Sequence, residues 1–168
     1  MVEQKRMPPR AAAGVAIAAA VALSAPIAMR FEGLRTKPYR DPVGIPTVCY
    51  GETQRAMRQY TPDECAILLE QRQARDYAPQ VLRCVPGLGG PRRSAPFAAS
   101  IDFAYNAGAG GFCRSSMARF FNAGRFADGC RAFGLYDKAR VNGRLVVLAG
   151  LARRRAAETQ LCLKGVTP

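Results

Sequence analysis

Glu32–Thr53 reads EGLRTKPYRDPVGIPTVCYGET, and its punctuation sets the fold around it. Pro38, Pro42, Gly44 and Pro46 break the stretch from Thr36 to Pro46, so the chain must turn there and carry Asp41 on a loop. Thr47, Val48 and Tyr50 are β-formers that end at Gly51, the mark of a short strand or hairpin. Upstream, Glu32 falls in a short helix that continues or follows an apolar tract. A helix-borne carboxyl group facing a loop-borne one across a turn suits the cleavage of a glycosidic bond. One group keeps its proton for the leaving oxygen, while the other stays ionised to activate water or to attack. Glu32, Asp41 and Thr47 stand nine and six positions apart, a spacing that is not specific by itself. Read locally, Asp41 is equally a turn cap before Pro42 and Thr47 an ordinary strand threonine.

Before this stretch lies Ala11 to Met29, AAAGVAIAAAVALSAPIAM, nineteen residues without a charge. That length just spans a bilayer, and the basic, proline-broken residues 1–10 would hold the N-terminus in the cytoplasm with the rest outside. Ten of the nineteen are alanine, and only Val15, Ile17, Val21, Leu23 and Ile27 are strongly apolar. At the scale of such residues near a helix centre, insertion gains only about 1.5–3 kcal/mol before polar terms, so the anchor is able to let go. A cleavable signal peptide is the rival, with Ala20-Val21-Ala22 as its small-residue site. The apolar run continues past that site to Met29, which favours a retained anchor. The division expected is therefore 1–30 as N-terminal segment and 31–168 as folded domain.

The 168 residues suffice for one core. A formal charge of +13 persists as 21 basic against 11 acidic residues from Phe31 onward, which favours a polyanionic partner: nucleic acid, anionic lipid or an acidic wall polymer. Histidine is absent, which removes Ser-His-Asp triads, Cys-His pairs and HExxH zinc sites and leaves carboxylates as the leading catalytic groups. The six cysteines include no CxxC pair. In an exported chain they would form disulfides in one of 15 connectivities that the sequence does not choose among.

The remainder reads as helices. Thr61, Pro62 and Glu64 form a capping box that opens a helix through Cys65, Leu68 and Leu69 towards Tyr77, with continuation to Leu82 open. A second helix begins near Ser94 or Ser100, buries Phe97, Ile101 and Tyr105 on one face, and ends at a flexible turn, Asn106 to Gly111. Short helices are expected around Met117–Phe121 and Phe126–Leu135, and a last one over Leu151–Leu163. The fold class expected is α+β, mainly helical, with a small β-element carrying the lip of a cleft.

The stretch quoted first resembles the active-site region of the phage lysozymes, glycoside hydrolase family 24, whose pattern is Glu, eight residues, Asp, five residues, Thr. Glu32, Asp41 and Thr47 match it in type and spacing. FAYNAGAGGFCRSSMARFFNAGRFADGC and GLARRRAAETQLCLKG resemble later blocks of that family, so the likeness covers about Phe31 to Gly165; residues 136–149 fit it least.

The resemblance implies a lysozyme-like domain that hydrolyses the β-1,4 bond between N-acetylmuramic acid and N-acetylglucosamine in peptidoglycan. Glu32 would be the general acid, and Asp41 with Thr47 would position water. Tyr50, Asn106 and the Arg153 to Arg155 run are candidate neighbours of the cleft, each equally readable as core, turn or solvated helix face. An arginine paired tightly with Glu32 would argue against its acid role. No cofactor and no metal are implied, the partners are peptidoglycan and, before release, the host inner membrane, and the expected state is a monomer without nucleic acid.

With its apolar leader the chain also resembles signal-anchor-release endolysins, tethered and inactive until they reach the periplasm. That likeness suggests Cys84 with Cys113 and Cys130 with Cys162, leaving Cys49 and Cys65. A lytic transglycosylase, needing one glutamate and no water, and a basic membrane-anchored binding protein are the alternatives.

Overall fold

The computed structural model describes residues 9–41 and 43–166, with side chains from residue 13 onward. The basic N-terminus up to residue 8, and Pro42, lie outside the described residues. Helix α1, Pro9–Glu32, runs unbroken through the apolar tract, with Pro26 inside it and Arg30 in its last turn. It stops at Gly33, whose φ of 73° supplies the left-handed turn, with its N–H on the Met29 carbonyl at 3.3 Å. Glu32 is thus fixed as the last helical residue.

Strands β1, Arg35–Arg40, and β2, Pro46–Cys49, then form an antiparallel hairpin. The chain turns between them and carries Asp41 on the loop, as expected, while β1 reaches back through the breakers to Arg35. Pro38 is tolerated because this is a two-stranded sheet whose register slips between Arg35 and Tyr39, so no ladder bond is asked of it.

The capping box is present: Thr61 Oγ1 accepts from Glu64 N–H, and the Glu64 carboxylate accepts from Thr61 N–H at 2.7 Å. It starts α2, Pro62–Arg72, which passes through a π-turn, Gln73–Tyr77, into α3, Ala78–Cys84. Helix α4, Ser94–Ala107, is buried on almost every side from Pro96 to Ala104 rather than along one stripe, as befits the central helix of a domain. The expected loose turn from Asn106 to Gly111 is corrected: Gly108, at φ 82°, makes the break, and α5, Ala109–Cys113, follows at once.

Next come α6, Ser116–Asn122, and α7, Phe126–Arg131, which tightens into a 3-10 turn over Ala132–Tyr136. A second hairpin, β3 Lys138–Val141 and β4 Arg144–Val147, was not anticipated. Helix α8, Ala149–Lys164, closes the chain.

The main core joins Val81, Leu88, Phe97, Ile101, Phe103, Phe112, Met117 and Phe133, with Ala20 and Val21 of α1 included. A second cluster sits under the first hairpin, where Ala25 and Ala28 of α1 meet Val48, Cys49, Tyr50, Tyr60, Cys65 and Leu69. Disulfides link Cys84 with Cys113 and Cys130 with Cys162. Cys49 and Cys65 are bonded to each other rather than left over, because α2 brings their Cα atoms to 5.1 Å.

Candidate active site

Glu32 stands at the negative pole of a 24-residue helix, a place where a carboxylate gains nothing from the helix dipole and calls for a cation. Arg154 of α8 supplies it: Nη1 donates to Glu32 Oε1 at 2.6 Å. The same guanidinium donates from Nε and Nη2 to the two oxygens of Asp102, both at 2.9 Å, in a fork whose members are buried. Burial works against the charge on Arg154, but the bonds to Asp102 and then Glu32 outweigh it and hold the guanidinium above its ordinary range.

An acid must keep its proton to donate it, so a tight arginine contact by itself opposes the role expected of Glu32. Here the guanidinium is shared with Asp102, which takes two of its three nitrogens. The second oxygen, Oε2, points toward Gly51, where an added Cβ would lie 4.0 Å from it.

A cavity of about 150 Å³ opens at this carboxyl group, lined by Glu32, Tyr50, Gly51, Arg72, Tyr77, Tyr105 and Asn106. Tyr50 and Asn106 are therefore neighbours of Glu32. Their ties explain it: the Tyr105 hydroxyl donates to the Tyr50 carbonyl, and Asn106 Oδ1 accepts from Arg155 Nη2. Burial, and then the negative charge of Glu32, push the Tyr105 hydroxyl above its ordinary range, so it stays a donor.

Asp41 and Thr47 lie on the first hairpin and are not among the residues lining this cavity. Asp41 Oδ1 accepts from the N–H groups of Val43, at 3.0 Å, and Ile45, at 2.8 Å, so the turn-cap reading of its sequence is realised. Both bonds fall on one oxygen, which orients the carboxylate. Thr47 is buried and its hydroxyl donates to the Ile45 carbonyl at 2.9 Å.

The turn from Val48 to Glu52 closes with reciprocal backbone bonds of 2.9 and 2.8 Å and needs left-handed backbone at Cys49, φ 58°, and Gly51, φ 83°. A non-glycine residue in that region is costly, and the bridge to Cys65 helps to hold it.

Sequence reasoning missed Arg72, Tyr77 and Tyr105 as lining residues, and Asp102 and Glu158 as the buried partners of Arg154 and Arg155. Arg72 is pinned by Glu52 at 2.8 Å, and Tyr77 meets Tyr105 edge-on at 5.3 Å. Asp102 did carry a signal, as a single acid within the apolar FAASIDFAYNA of α4, since a buried charge needs a partner.

This arrangement has relatives. A SAR-endolysin of Pseudomonas phage phiKMV is 34% identical over 154 residues, covering 90% of both chains. A SAR-endolysin of Enterobacteria phage P21 is 31% identical over 137 residues, covering 80% of this chain and 78% of that one. Among solved structures, the muramidase domain of SpmX from Asticaccaulis excentricus superposes with a TM-score of 0.67 at 30% identity, over 86% of this chain and 95% of that one. The active form of the P1 phage endolysin does so with 0.68 at 25% identity, over 89% and 85%. The sequence model of the family described as Phage lysozyme matches residues 29–158, from the end of α1 through the Glu32 site to Glu158 in α8. With that helix end, that cleft and that match in hand, the chain belongs to the phage lysozyme family.

Proposed function

We propose that this chain hydrolyses the β-1,4 bond between N-acetylmuramic acid and N-acetylglucosamine in peptidoglycan, with Glu32 as general acid. The proton of Glu32 passes to the glycosidic oxygen, which leaves as the N-acetylglucosamine hydroxyl. Asp41 accepts a proton from the water that attacks the anomeric carbon of N-acetylmuramic acid, and Thr47 helps to position that water. The observation that carries this reading is the placement of Glu32: fixed by Arg154 through one oxygen, open to the cleft through the other. An inverting course requires the two carboxyl groups to stand about 6.5–9.5 Å apart around the sugar.

We also propose that residues 1–30 are a releasable anchor and 31–168 the catalytic domain. The α1 window Ala13–Glu32 is long and apolar enough to cross a bilayer by length and composition. In the fold its Ala20, Val21, Ser24, Ala25 and Ala28 are buried against the domain. Held in the host inner membrane, α1 would deprive the domain of that layer and hold Glu32 at the bilayer edge; released into the periplasm, it completes the core and seats Glu32 beside Arg154.

A lytic transglycosylase is the second reading, favoured by the absence of Asp41 and Thr47 from the cavity lining. Clearing of purified peptidoglycan by the parent and by Glu32→Gln tests the proposal. The variant is expected to keep its thermal midpoint and lose clearing by at least about 100-fold, the range of a missing general acid. Anhydro sugar ends on the products would replace hydrolysis with the transglycosylase route, and a fully active variant would end both readings.

A further inference from the structure

The β3–β4 hairpin turns neither face to the core. Asn142 and Gly143, with φ of 49° and 78°, make its two-residue turn. The register places Lys138, Val147, Arg140 and Leu145 on one face and Ala139, Val146, Val141 and Arg144 on the other. Every residue of β4 is exposed, Leu145 to 65% and Val147 to 53%, and Val141 and Leu148 beside them are exposed as well. A two-stranded hairpin without a covering layer is marginal in water, and the core gains nothing from these aliphatic side chains. The charge is of one sign: Lys138, Arg140 and Arg144 are cationic, and no acidic residue occurs between Asp137 and Glu158.

We infer that this hairpin is a peripheral docking element for an anionic phospholipid bilayer. Leu145 and Val147 enter the interface from one face, while Lys138 and Arg140 on that face and Arg144 beside the turn meet headgroup phosphates. Branched aliphatics flanked by cations fit the boundary between acyl chains and anionic headgroups. An acidic wall polymer would engage the cations and leave the aliphatics wet, and a sugar would call for an aromatic platform, which residues 138–148 lack. A second copy would bring three cations against three. The element is distinct from the α1 anchor and does not depend on which glycan bond is cut.

The test is co-sedimentation of the full, folded chain with phosphatidylethanolamine vesicles containing phosphatidylglycerol, and with phosphatidylcholine vesicles. The parent is expected on the anionic vesicles only, with binding that weakens in salt. Arg140→Gln with Arg144→Gln should lower that binding about 30-fold, from the usual contribution of two surface cations. Leu145→Thr with Val147→Thr should lower it by at least a similar factor. Both double variants should clear lipid-free peptidoglycan like the parent. The base of the hairpin lies within about 9 Å along α8 of Arg154, six residues at 1.5 Å each, so contact with the wall polymer is the chief alternative. Loss of clearing on lipid-free peptidoglycan would assign the hairpin to that polymer. Unchanged vesicle binding by the variants would assign membrane contact to α1, and a hairpin-dependent dimer that binds no vesicle would assign it to a second copy; each of these overturns the inference.

Discussion

Asp102 and Glu158 bring two carboxyl groups into the interior beside Arg154 and Arg155. Glu158 is wholly buried, 3.2 Å from Arg155 Nη1 and 3.7 Å from Arg154 Nε. Burial, and then the adjacent Asp102 carboxyl, push it well above its ordinary 4.5, and the two arginines do not reverse the shift. The folded state therefore binds a proton that the unfolded chain releases near pH 4.5. Stability from this group is complete below that value and is lost as pH rises through the higher folded value. The thermal midpoint of the parent should decline toward alkaline pH, at no more than about 1.4 kcal/mol per pH unit from this group. Glu158→Gln stays neutral and should flatten the decline. Thermal melts across that range check it, and parallel slopes for parent and variant would remove Glu158 from the linkage. The ARRRAAE of α8 offered an arginine for Glu32, and Arg154 is that residue; the burial of Glu158 was not legible there, because which face of that helix is buried is decided by α4.

Among the elements, α1 has two demands to meet on the anchor reading proposed above. Ala20, Ala25 and Ala28 are almost fully buried, and their size lets α1 lie close to its neighbours. The same small side chains keep the tract weakly hydrophobic in a bilayer. Ala28→Leu should act on both sides: it overpacks the cluster with Val48 and Tyr50, at about 1–3 kcal/mol, and makes the anchor greasier. Fractionation of cells before and after the membrane potential is dissipated should find more of the variant left in the membrane than of the parent. Equal release of both would contradict the anchor reading. The start of α2 and the extent of α8 were readable to within a few residues, since capping and periodicity are local properties. The β3–β4 hairpin is only half legible in the sequence: Asn142-Gly143 is a strong turn signal, but its strands lack a buried alternation to confirm it.

Across the molecule, three disulfides divide the work of holding the fold. Cys130–Cys162 joins α7 to α8, Cys84–Cys113 joins α3 to α5, and Cys49–Cys65 ties the first hairpin to α2. Loop entropy varies slowly with length, so losing the bridge of separation 16 or that of separation 32 should each destabilise by about 2–5 kcal/mol, within about 1 kcal/mol of one another. Clearing activity should separate them. Cys49→Ala with Cys65→Ala frees the turn that presents Tyr50 and Gly51 to the cleft and should reduce clearing well below that of Cys130→Ala with Cys162→Ala, compared at a temperature where both are folded. Equal activities would show that the turn holds itself.

By itself the sequence determined the helical class of the domain, the exit of the chain from its apolar leader at Glu32, and the family, because spacing, capping and punctuation are written locally. Only the tertiary structure decided that Arg154 reaches Glu32 while gripping Asp102, that Tyr50 and Asn106 share its cleft while Asp41 caps its own loop, and that Cys49 finds Cys65. Those contacts join residues far apart in the chain, and burial and charge pairing choose among them only once α1, α4 and α8 have packed.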